Sequence, residues 1–235
     1  MTLHFKWSLF ACTRRMAVVW LGCLLLVSAQ AQPTGLLYDP EPPVDSGYVR
    51  VMMAADIPKV SVVVDGKIRV PSLGKNQISD YMVMGVGKHR IEMLSVGRTA
   101  ASIELDVVRA SVMTLVFTSA GAAPQVFVDK ISTNKLKAML SVYQLASKDE
   151  PLDILTSDGT TKVFSSLAYG KLGAMQVNPI SVTLIATKLG DKTSLANASL
   201  VMTQGGAYSV FLLPTKSDKI VAVVVQNKIE RYTGK

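Results

Sequence analysis

The chain has 235 residues, 49% of them hydrophobic, 18% charged and 6% aromatic, with a formal charge of +8. That apolar share fills a core and excludes a wholly disordered chain, and the length suits one large domain or two small ones. The positive charge is no nucleic-acid signature, because Lys and Arg are scattered with no run longer than two.

In chain order, the first 15 residues carry Lys6, Arg14 and Arg15 and no acid. An apolar run, MAVVWLGCLLLV over 16–27, and Ala29-Gln30-Ala31 follow. Basic, apolar, then small-x-small is the order of a secretory signal peptide, here 1–31, cleaved after about Ala31. The run is well short of the roughly 20 residues that span a bilayer. Trp20-Leu21-Gly22-Cys23 is a poor lipidation site, with apolar residues still following the Cys. The mature chain is therefore expected in the periplasm.

Cleavage reduces the 25 basic residues by Lys6, Arg14 and Arg15 and leaves all 17 acids, a mature charge of +5. It also removes Cys12, Cys23, Trp7, Trp20 and His4, so His89 is the sole mature histidine. Without Cys there is no disulfide framework, thiol nucleophile or thiolate metal site. A Ser-His-Asp triad could draw only on His89. Its setting, Val86-Gly87-Lys88-His89-Arg90, reads as a turn entering a strand with a cation on either side. No Walker loop, G-x-G-x-x-G or G-x-S-x-G elbow is present. The expectation is a protein that is not an enzyme, with no catalytic, cofactor-binding or metal residues and no cofactor. The modest excess of positive charge favours an acidic partner: an anionic polysaccharide held weakly, a membrane surface or an acidic protein face.

A proline-rich leader, 32–47, carries Tyr38, Pro40, Pro42 and Pro43. Short runs of period near two follow at 48–54, 60–64, 89–94, 101–108, 112–118 and 125–128. A second series lies at 136–145, 152–155, 162–167, 180–187, 196–201, 208–213 and 220–225. Only 131–140 has some helical spacing, and it reads equally as a linker plus strand. Short strands at this spacing predict an all-β fold of sandwich or barrel type. The segment 49–66 aligns with 142–159 without a gap, with Val49/Val142, Asp56/Asp149, Pro58/Pro151, Asp65/Asp158 and Gly66/Gly159 identical. A later echo pairs Val116-Phe117 with Val210-Phe211, one residue out of step. The reading is two tandem β-sandwich domains, immunoglobulin-like or carbohydrate-binding-module-like, at 48–131 and 132–235, with the Asp-Gly pairs at equivalent hairpin turns.

Four segments resemble a known family. LLYDPEPPVDSGYVR (36–50), LDILTSDGTTKV (152–163), VNPISVTL (177–184) and the GAAPQ turn (121–125) resemble the alginate O-acetylation accessory protein family AlgF, in order and spacing, from Leu36 to Pro214. Related members occur in cellulose O-acetylation clusters. The resemblance implies a non-catalytic periplasmic adaptor in O-acetylation of an exported polysaccharide, docking periplasmic and membrane acetyltransferase proteins. The leader and first strand supply the candidate partner contacts: Tyr38, Pro40, Pro42, Pro43, Tyr48 and Arg50. Prolines limit the entropy lost on ordering, and an aromatic adds an anchor.

Two other readings compete. A periplasmic pilus-type chaperone would add a strand to its subunit, with 112–118 as that strand and Arg50 or Lys130 as the carboxylate anchor. A carbohydrate-binding module would need an aromatic platform, which falls to Tyr48, Tyr81, Tyr143, Tyr169 or Tyr208, each more simply a packed strand residue.

Overall fold

The computed structural model describes residues 42–217 and 219–233. The signal segment and leader residues 32–41, with Tyr38 and Pro40, lie outside the described residues.

The first half gives β1 (Ser46–Met53), β2 (Val60–Val64), β3 (Lys67–Leu73), β4 (Gln77–Ile78), β5 (Met82–Gly85), β6 (Gly87–Ser95), β7 (Arg98–Val107), β8 (Val112–Phe117) and β9 (Gln125–Val128). The second gives β10 (Ala138–Gln144), β11 (Leu152–Thr156), β12 (Lys162–Leu167), β13 (Lys171–Val177), β14 (Ser181–Lys188), β15 (Ala196–Val201), β16 (Ala207–Pro214) and β17 (Ile220–Gln226). No helix occurs among the described residues, and the fold is all-β. The stretch 131–140 is an irregular linker that runs into β10.

Four sheets form. In the first half β4-β1-β8-β9, with β5 also on β1, faces β3-β2-β6-β7; in the second β13-β10-β16-β17 faces β12-β11-β14-β15. Each half is a β-sandwich with its own core: Val49, Val51, Leu115, Ile91 and Met93 in the first, Leu140, Val142, Ile154, Leu184 and Val210 in the second. The halves repeat one unusual pairing. The opening strand lies parallel to a late strand, β1 to β8 and β10 to β16, and antiparallel to its other neighbour, β5 or β13.

Both Asp-Gly pairs turn between the second and third strands of their sandwich, but with different geometry. Asp65 (φ 50°) and Gly66 (φ 77°) make a two-residue turn between Val64 and Lys67, where the left-handed region is demanded at both positions. In the second, the loop is longer, closed by Thr156 N–H donating to the Thr161 carbonyl, and only Gly159 has a positive φ. The later echo does not survive the registers. Val49 pairs with Met113 and Val142 with Val210, so Phe117 and Phe211 are not equivalent. Phe117 faces a sandwich core and Phe211 faces away from one.

Strands β3, β4, β5 and β13 were not predicted. Pro71 interrupts the pattern of β3 and Gly173 that of β13, and both are edge strands, where a proline or glycine costs no interior ladder. After β17 the chain returns to the first sandwich: Tyr81 pairs in parallel with Ile229, Tyr81 N–H donates to the Lys228 carbonyl and Glu230 N–H to the Tyr81 carbonyl. Glu230 also takes an ion pair from Arg69 and the Val83 N–H.

A third apolar layer lies between the sandwiches. Met52, Val116 and Phe127 meet Tyr143, Leu145, Phe211 and Leu213. The sheets containing β1 and β10 are thus covered on both faces, and four sheets stack as one body. Double burial is why VRVMM and SVYQL read as near-continuous apolar runs rather than strict alternation.

Candidate functional site

The junction between the sandwiches is built around a guanidinium. Arg50 sits mid-β1 on the face opposite Val49 and Val51, and 1% of it is exposed. Its Nε donates to Thr114 Oγ1 (2.8 Å) on the neighbouring β8. Across the junction Nη2 donates to Tyr143 OH (3.0 Å) and Ser209 Oγ (2.8 Å), and Nη1 to Asn227 Oδ1 (2.7 Å). The guanidinium carbon lies 4.4 Å from the centre of the Tyr81 ring, a cation–π contact in a desolvated setting.

The counter-charge is Asp129, just past β9 and also buried. It does not touch Arg50 but is reached through hydroxyls. Thr114 Oγ1 and Tyr81 OH donate to Oδ2 at 2.5 and 2.7 Å, and Tyr143 OH donates to Oδ1 at 2.6 Å. Burial, with Asp129 nearby and Arg50 opposing, pushes the Tyr143 hydroxyl up to about 12, and burial raises Tyr81 further. Both phenols stay neutral donors. Tyr143 also stacks on Phe211 at 4.3 Å and meets Phe127 edge-on at 5.2 Å. Buried charge is tolerated only when paired and fully hydrogen-bonded, and this cluster meets that condition with side chains from both sandwiches.

Among the described residues, clefts open on the surface at two places of note. One, of about 900 Å³, lies between Ala54, Thr118 and Ser119 of the first sandwich and Lys148, Tyr169 and Lys219 of the second. Lys148 Nζ stands 5.7 Å over the Tyr169 ring, and Lys188 pairs with Glu150 at 3.1 Å. The other, of about 570 Å³, is bordered by Pro43, Arg69, His89 and Glu230. There His89 Nδ1 lies 2.6 Å from Asp65 Oδ2 and Nε2 lies 2.9 Å from the Gly85 carbonyl. The His89 bond and the Arg90 N–H hold the Asp65 carboxyl below its ordinary value. An acyl-transfer base needs its second nitrogen at a nucleophile; here a backbone carbonyl occupies that position.

The predicted contact residues separate. Pro43 is exposed and Pro42 half-buried where the described chain begins, and Tyr48 is half-buried at the start of β1. Arg50 is corrected: it is wholly internal and cannot be a surface contact or a carboxylate anchor. The proposed chaperone strand is corrected too, because β8 lies inside its sheet between β1 and β9. Of the tyrosines offered as a sugar platform, Tyr81, Tyr143 and Tyr208 are buried, and Tyr169 alone among the described ones lines the larger cleft. Sequence reasoning missed Thr114, Asp129, Ser209 and Asn227. The available signal was a polar residue inside a doubly apolar strand, as in Val49-Arg50-Val51 and Tyr208-Ser209-Val210.

Comparison with known proteins follows the same lines. The family profile described as "Alginate O-acetyl transferase AlgF" matches residues 21–209. The alginate biosynthesis protein AlgF of Pseudomonas putida is 29% identical over 169 residues, covering 72% of this chain and 74% of the relative. The protein of the same name from Pseudomonas fluorescens is 28% identical, covering 82% and 83%, and that of Azotobacter vinelandii 28%, covering 67% and 68%. A solved structure of the C-terminal domain of AlgF from P. aeruginosa is 24% identical, matched over its full length and 40% of this chain with a TM-score of 0.33. With a profile match over most of its length, the chain belongs to the AlgF family of alginate O-acetylation.

Proposed function

We propose that the chain is an exported, non-catalytic adaptor of polysaccharide O-acetylation, which holds acetyl-transferring proteins in position without touching the acetyl group. The observation that carries this reading is the Arg50 cluster. It spends seven polar side chains on joining two sandwiches into one body, and a body of fixed shape suits a protein that sets the distance between partners. The occupied His89 ring supports the non-enzymatic part, since both its nitrogens already face oxygen atoms. The AlgF family supports the pathway and points to alginate as the polymer. The signal grammar supports a mature chain beginning near Gln32 in the periplasm. The leader, with exposed Pro43, remains a candidate contact.

The test pairs two measurements. A deletion strain should make polymer of normal length that lacks acetyl groups, and the tagged mature chain should retain the acetyltransferase proteins encoded beside it. Normally acetylated polymer from the deletion strain would remove the role. Acetyl transfer by the purified chain alone, abolished in a folded His89→Ala variant, would replace the adaptor with an enzyme.

A further inference from the structure

The exposed apolar side chains are not spread evenly. Fourteen large ones are exposed among the described residues, and four of them, Val126, Val128, Ile131 and Leu136, fall within the eleven residues 126–136. An even spread would place fewer than one there. Val128 is 69% and Leu136 67% exposed.

Their placement is specific. Strand β9 is the last of its sheet among the described residues, which leave one of its backbone edges unpaired. Phe127 points into the junction layer, so Val126 and Val128 lie together on the other face. They pair there with Leu115 and Met113 of the first core, but the facing sheet leaves them uncovered. The linker beyond is held in place. Asn134 Oδ1 accepts the Leu136 N–H at 2.9 Å, and Gln176 on β13 donates to Thr133 Oγ1 at 3.0 Å. Ile131 and Leu136 are therefore presented by a braced loop.

Charge adds a sign. Residues 129–137 carry Lys130, Lys135 and Lys137, and their single acid, Asp129, is turned inward to Tyr81, Thr114 and Tyr143. None of the three lysines takes part in the ion pairs among the described residues. An open strand edge, two valines spaced by two, exposed Lys130 and Lys135 and half-buried Lys137 together define a complementary shape. It is an extended segment with alternating apolar residues and acidic neighbours, added as a strand.

We propose that β9 and the 129–137 linker form a docking strip for an acidic, extended segment of a partner protein, paired along the free edge of β9. This rests on the adaptor reading and names its surface. Lysines on a short edge strand are also how monomeric sheets resist unwanted pairing, and the test separates the two roles.

The mature chain is free of cysteine, so a single introduced thiol is uniquely addressable. Val128→Cys and Leu136→Cys are labelled with a bulky maleimide, alongside Val96→Cys and Val201→Cys, which are 92% and 70% exposed on other loops and strands. Each labelled mature chain is checked for folding by circular dichroism and used to capture the acetyltransferase proteins of its own cluster. Labels at 128 and 136 should cut capture by about tenfold or more, while labels at 96 and 201 leave it unchanged. A variant with Lys130, Lys135 and Lys137 all changed to Glu should lose capture and the salt dependence of capture together. Full capture with labels at 128 and 136 overturns the strip and leaves the adaptor reading standing, with the lysines guarding the edge only. No capture by the unlabelled chain overturns both.

Discussion

Replacing Arg50 by Met tests the junction most directly. Met keeps much of the apolar volume, so little cavity opens, but four hydrogen bonds disappear. Asp129 then remains buried with three hydroxyl donors and no cation within the cluster. Removing one partner of a buried charge pair costs about 3–5 kcal/mol. For a body of this size, at about 2–4 °C per kcal/mol, the melting temperature should fall by about 6–20 °C. Circular dichroism melts give the total, and a cycle with Asp129→Asn isolates the coupling. The double variant should be less destabilised than the sum of the singles by about 1 kcal/mol or more. Loosening the junction should also speed tryptic cleavage at Lys130, Lys135 and Lys137, which lie in the linker between the sandwiches. A shift under about 2 °C, or additive single variants, would refute the idea that Arg50 and Asp129 lock the sandwiches together.

Other outcomes follow from individual contacts. Gly47→Ala should destabilise by about 1–3 kcal/mol in urea unfolding, because its Cβ would stand 2.6 Å from Val107 Cγ1 and 3.0 Å from the Val108 carbonyl oxygen. Asp153 is buried. Burial opposes its ionisation, but bonds from Lys162, the Ser166 N–H and the Gly190 N–H outweigh that and hold its carboxyl below the ordinary value. Asp153→Ala should therefore cost about 1.5–3 kcal/mol, read from the same unfolding curves. Lys216 and Lys75 hold exposed Asp56 at about 2 against an ordinary 3.8. A depressed carboxyl contributes stability that is complete above its unfolded value and lost as pH falls through the folded one. The urea midpoint should thus be flat above about pH 5 and drop between about pH 4 and 2, with the drop reduced in Asp56→Asn.

The sequence alone carried the class of fold, the two-sandwich organisation and the Asp-Gly turns, because these rest on local chemistry. Alternating apolar residues mark half-buried strands, and Asp65-Gly66 marks a turn that needs left-handed backbone. It also places every cysteine and tryptophan before Gln32. The edge strands escaped because an edge tolerates Pro71 and Gly173 without a periodic signature. The junction escaped for a different reason. Arg50, Thr114, Asp129, Tyr143, Ser209 and Asn227 are spread over 178 positions, and nothing local tells an arginine on a strand that it faces another sheet. Arg50 therefore read as a surface contact, although the apolar residues around it marked a strand covered on both faces. Only the stacking of the sheets on β1 and β10 decided that its charge would be buried, paired through hydroxyls and spent on fixing the two sandwiches, because burial is a property of what packs against a face rather than of the residues on it.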